Sequence, residues 1–91
     1  MINLSERMLM AVRMVRSGNS VADIGTDHAY LPAYLVLGGI SPKALACDVR
    51  KGPLDNAKKT VEHYRIEDKV TLRLSDGLDE IEPSEAQDFI M

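Results

Sequence analysis

Val21-Ala22-Asp23-Ile24-Gly25-Thr26-Asp27-His28-Ala29-Tyr30-Leu31-Pro32 decides the architecture of this 91-residue chain. Its first four residues, apolar but for Asp23 and stopped by Gly25, have the form of a buried parallel strand. A helix is expected to begin near Ala29–Leu31, because Pro32 is tolerated only in a first turn, and Gly38-Gly39 supply the stop. Strand, glycine turn and helix in that order open a βαβ unit.

Upstream, Asn3 with Glu6 three residues later reads as a capping box. Leu4, Met8, Ala11, Val12 and Val15 then recur at helical spacing, and Ser17-Gly18-Asn19-Ser20 ends that helix. Downstream, Lys43 to Asp48 reads as a second strand, and Pro53 suits the first position of a third helix. The apolar stripe of that helix is Leu54, Ala57, Val61 and Tyr64. Val70 to Leu74 alternates with period two, as a strand nearer an edge does, and Asp88 to Met91 begins a fourth strand. The expected fold is α/β: a Rossmann-like, doubly wound, mainly parallel sheet, truncated after the start of its fourth strand. Residues 1–91 read as the N-terminal part of one domain, with a leading helix in 1–19 and a βαβαβ ligand-binding region in 20–91. An acidic turn running into an apolar strand start is a poor natural terminus, so a larger protein is expected.

Composition narrows the function. Apolar residues make up 45% and charged residues 27%, which is globular and not disordered. No apolar run approaches the roughly 20 residues that span a bilayer, and the first residues lack the order of a signal peptide. The single cysteine, Cys47, excludes an internal disulfide and a cysteine-based zinc cluster, so a reduced cytoplasmic chain without a metal is expected. The net charge is −3. Only the N-terminal segment, with Arg7, Arg13 and Arg16 against Glu6, is basic, and charge alone does not suggest a nucleic-acid binder.

In open α/β sheets, ligands sit beyond the carboxyl ends of the strands, near the switch point between the first and fourth. Asp23 with Gly25, Asp48, and Asp76 with Gly77 fall at that end of three successive strands. A carboxylate ending strand two can accept from both hydroxyls of a ribose, and one after strand three from an adenine amino group. Each residue has a plainer reading. Asp48 reads equally as a helix cap and Asp76-Gly77 as a turn, while Cys47, Tyr30 and Tyr34 suit a core and His28 packs as readily as it binds. A carboxylate inside an apolar strand, as at Asp23, is harder to dismiss, because burial without partners is costly. The turn holds one glycine where a dinucleotide fingerprint needs three, and Asp27 would repel a pyrophosphate. That acid suits a ligand bearing an amino group and a sulfonium, such as S-adenosyl-L-methionine, and disfavours NAD.

Residues 21–32 resemble the first motif of the bacterial tRNA adenine-N1 methyltransferases that modify position 22, a class I, Rossmann-like group dependent on S-adenosyl-L-methionine. Leu4-Ser5-Glu6-Arg7-Met8-Leu9, Cys47-Asp48-Val49-Arg50-Lys51-Gly52-Pro53 and Ser75-Asp76-Gly77-Leu78 resemble further motifs of that family. The resemblance implies that Asp23, Gly25 and Asp27 surround the methionine part of the cofactor, with Arg7 near its carboxylate. It implies that Asp48 holds the ribose, that Val49 lies against the adenine, and that Asp76 and Gly77 meet its amino group and ring. It assigns His28 no role. The segment that such proteins place after strand four, and their C-terminal helical domain, are absent from the 91 residues. The expectation is a cofactor-binding half that reaches tRNA only within a longer protein and nominates no proton-transfer residue, since adenine N1 already carries a lone pair. The alternatives are a methyltransferase of another substrate and a noncatalytic nucleotide-binding or interaction module, with a dehydrogenase more distant.

Overall fold

A computed structural model describes residues 2–76, 80–82 and 84–90. The elements follow the order α1 (Glu6–Met14), β1 (Val21–Ile24), α2 (Tyr30–Leu37), β2 (Ala44–Asp48), α3 (Lys51–His63), β3 (Val70–Leu74) and β4 (Asp88–Ile90). The strands form one sheet in the order β3-β2-β1-β4, and all three pairings are parallel. The strand order therefore reverses at β1, with β2 on one side and β4 on the other. This is the expected Rossmann-like arrangement, and β3 lies at the edge that its alternation indicates.

Period-two alternation divides the strand residues between two cores. Val21, Ala44, Ala46 and Val70 pack with Leu31, Leu35, Ala57 and Val61 of α2 and α3, and Val15 closes this layer from the end of α1. On the opposite face Ala22, Leu45 and Cys47 pack against Ala86 and Ile81. Asp23 lies two residues from Val21, and Asp48 two from Ala46, so both carboxylates project to the helical face. Helix α2 buries Leu31, Pro32, Ala33, Leu35 and Val36, which is why its sequence is apolar nearly all round.

Three boundaries differ from the sequence reading. The α1 cap is Ser5 rather than Asn3: Ser5 is extended (φ −65°, ψ 163°), and its hydroxyl accepts from the Met8 N–H at 3.2 Å. Helix α3 begins at Lys51, so Pro53 is its third residue. That position costs nothing, because none of the first four N–H groups of a helix has an acceptor within it. Strand β2 begins at Ala44, one residue later than expected.

Candidate functional site

A cleft of about 750 Å³ opens at the carboxyl end of β1, between the residues of α1 and the end of β4. Four of the sequence-nominated residues line it: Arg7, Asp23, Gly25 and Asp27. Met8, Met10 and Met14 of α1 and Phe89 and Ile90 of β4 give it apolar walls. The volume falls in the usual range of small-molecule sites, roughly 300–1,000 Å³, and the mixture of apolar wall with few charged groups is typical of them.

The turn after β1 sets the shape of this cleft. Gly25, Asp27 and Ala29 all have positive φ, at 76°, 57° and 60°. Gly25 meets that demand without a side chain, and a Cβ there would touch nothing within 4 Å, so its requirement is conformational rather than steric. Asp27 and Ala29 hold the same left-handed geometry with side chains, at a cost that the surrounding hydrogen bonds must offset. The Gly25 and Thr26 N–H groups both donate to the Cys47 carbonyl, at 2.9 and 2.8 Å, and the Ala29 N–H donates to the Thr26 carbonyl at 3.1 Å. The turn is thereby pinned to β2.

Two buried carboxylates complete that pinning, each residue being only 6% exposed. Asp23 Oδ2 accepts from the Thr26 hydroxyl at 2.9 Å. Burial pushes the Asp23 carboxyl up to about 6; the Thr26 hydrogen bond pulls against that, and the nearby Asp48 charge adds to it. Asp48 Oδ2 accepts from the Asp27 N–H at 3.3 Å and Oδ1 from the Arg50 N–H at 3.2 Å. Each oxygen retains acceptor capacity for a further donor. Asp48 is thus joined to the turn through Asp27, although it lies outside the cleft lining. Val49 is exposed beyond β2, and Asp76 is exposed beyond β3. Gly77 lies outside the described residues.

Thr26 was not singled out from the sequence, yet it is the hydroxyl that satisfies Asp23; its spacing three residues after a strand carboxylate was the available signal. Met10 and Met14 also supply an apolar wall that helical spacing does not mark, since both fall off the helix's core-facing stripe. Cys47 is fully buried, as a filler would be, and its thiol is pushed up to about 11 chiefly by burial. Tyr30 is exposed rather than in the core. Among the described residues there is no cluster of three or more His, Cys, Asp or Glu suited to a metal ion, and no helix long and apolar enough to cross a membrane.

The profile of a family described as a methyltransferase domain matches residues 4–91. The chain belongs to that family. It is 38% identical over 85 residues to the tRNA (adenine(22)-N(1))-methyltransferase of Bacillus subtilis, covering 93% of this chain and 36% of that protein. The crystal structure of the B. subtilis m1A22 tRNA methyltransferase TrmK superposes with a TM-score of 0.93 at 36% identity, over 98% of this chain and 38% of the other. TrmK of M. capricolum, solved with S-adenosylhomocysteine, matches with a TM-score of 0.81 at 41% identity, over 84% of this chain and 34% of that one. These relatives bear out the resemblance read in residues 21–32. The chain spans about a third of the length of the relatives it matches.

Proposed function

We propose that this chain is the S-adenosyl-L-methionine-binding part of a cytoplasmic tRNA adenine-N1 methyltransferase. The observation that carries the reading is the cleft at the β1–β4 switch point, where Asp23, Asp27 and Arg7 line one cavity. The chemistry of this donor set fits the cofactor's methionine end: two carboxylates for its ammonium and sulfonium, and a guanidinium for its carboxylate. Gly25 lets the cofactor pass close to backbone. Asp48 takes the ribose hydroxyls on its remaining acceptor capacity, Val49 lies against the adenine face, and Asp76 with Gly77 meets the adenine edge.

The cofactor supplies an electrophilic methyl group on a sulfonium. This chain's residues position it and shield it from water, with Asp23 and Asp27 balancing its positive charge. Adenine N1 is largely unprotonated at neutral pH, so the reaction asks no base of these residues. The adenine edge must be unpaired to react, so the tRNA is read with that base flipped or locally opened. The B. subtilis sequence and crystal structure, each named as a tRNA methyltransferase, support tRNA as the substrate of the longer protein, and the S-adenosylhomocysteine bound in the M. capricolum structure supports the cofactor. The test is methyl transfer from labelled S-adenosyl-L-methionine to unmodified tRNA by the longer protein, followed by nucleoside analysis. N1-methyladenosine is expected, and methylation of a different nucleoside, or of protein alone, would overturn the substrate assignment.

A further inference from the structure

We propose that His28 and Tyr30 form a stacking platform for the unpaired target nucleobase, at the lip of the cofactor cleft. Their rings are parallel within 10°, with centroids 5.1 Å apart. The His28 side chain is 43% exposed and Tyr30 is 39% exposed, so the stack is not part of either core. Asp27 and Leu31, the neighbours that flank the pair in sequence, both line the cleft. Asp27 Oδ2 stands 4.0 Å from His28 Nε2, at the junction of platform and cleft.

The backbone between the rings is built for this arrangement. Ala29 is completely buried and left-handed at φ 60°, and it forms the entry to α2. An L-residue keeps that unfavourable conformation only where the surrounding structure holds it. Here it turns the chain so that side chains two apart share one side. An exposed pair of flat, parallel rings contributes little to folding, but it presents a surface on which any base can stack. Flipped bases are commonly received between aromatic or apolar side chains. Placing the platform beside Asp27 brings a stacked base to the mouth of the cleft that receives the reactive methyl.

This inference rests on the proposed cofactor site, and its test separates the two. The protein is first saturated with S-adenosylhomocysteine, so that the cofactor's own adenine position is filled, and is then titrated with adenosine. Binding is followed by tyrosine fluorescence and by the NMR signals of the His28 ring. Adenosine is expected to shift the His28 signals. Tyr30→Ala and His28→Ala are each expected to weaken adenosine at least about fivefold, and Tyr30→Phe to restore the wild-type value. S-adenosylhomocysteine affinity should be unchanged in all three variants, which also certifies their folding. Unaltered adenosine binding in both alanine variants, or none to the saturated wild type, would overturn the platform and leave the cofactor site standing. A parallel loss of S-adenosylhomocysteine would overturn it too, by assigning the rings to the cofactor. Failure of the wild type to take up S-adenosylhomocysteine would bring down both proposals.

Discussion

Replacing Asp23 by asparagine should make the unliganded protein more stable at neutral pH. Asp23 is buried on the helical face with one hydroxyl partner, and its carboxyl is raised from an ordinary 3.8 to about 6. Each tenfold change in proton affinity corresponds to about 1.4 kcal/mol, so the ionised carboxylate costs the folded state about 3 kcal/mol. Because the folded pKa is the higher one, the folded state holds the proton more tightly, and stability falls as pH rises from about 4 to above 6. Asparagine removes the charge and can still accept from Thr26. Its amide adds donors that need partners, which costs about 1 kcal/mol. A net gain of about 2 kcal/mol is expected at pH 8, and no gain at pH 4. Urea unfolding of both proteins across this range isolates Asp23 together with its coupling to Asp48, because titrations not coupled to Asp23 cancel in the difference. A difference that stays flat with pH, or a variant less stable at pH 8, would refute the reasoning. Cofactor binding should weaken in the same variant, since the proposed site sets the Asp23 charge against a cationic ligand.

Gly25→Ala places a Cβ in open space at φ 76°, so it should destabilise by the backbone cost alone, roughly 1–2 kcal/mol in thermal unfolding. Ala29→Gly relieves a similar cost but loses a fully buried methyl worth about 0.8 kcal/mol and adds glycine's unfolded-state entropy, roughly 0.4–1 kcal/mol, so its stability should change little. Cys47, buried and held up at about 11, should resist thiol reagents at pH 8 in the native protein and react at once in urea. Asp88 accepts from the Arg16 N–H at 3.0 Å and from its guanidinium at 2.8 Å, which holds its carboxyl below the usual range. Its support for β4 is therefore present at neutral pH and lost as pH falls through that lowered value. Asp88→Asn should speed amide exchange in β4 at pH 7 while leaving β2 protected.

The fold was legible because its strands carry their burial in their composition. The runs 21–24 and 44–48 are apolar apart from the carboxylates they deliver to the sheet's end, and 70–74 alternates as an edge strand does. The placement of Asp23, Gly25 and Asp27 in one cleft followed from that order. What escaped the sequence depends on geometry that residue type does not announce. Asn3 and Ser5 are both good caps, and only the helix start at Glu6, with the Ser5 hydroxyl accepting from the Met8 N–H, chooses between them. Positive φ at Asp27 and Ala29 is hidden by ordinary side chains, so the His28–Tyr30 stack was invisible too. The role of Asp88 in tying the start of β4 to Arg16 links residues 72 apart, and no local pattern records it.

The β1–β4 cleft is proposed to take an S-adenosyl cofactor rather than a dinucleotide. Calorimetric titration with S-adenosylhomocysteine and, separately, with NAD tests it most directly, with the exposed Asp27→Asn variant and the buried Asp48→Ala variant as controls. Binding of S-adenosylhomocysteine, weakened in both variants, and no binding of NAD are expected. A folded protein that binds NAD in preference, or binds S-adenosylhomocysteine equally well without either carboxylate, would contradict the proposal.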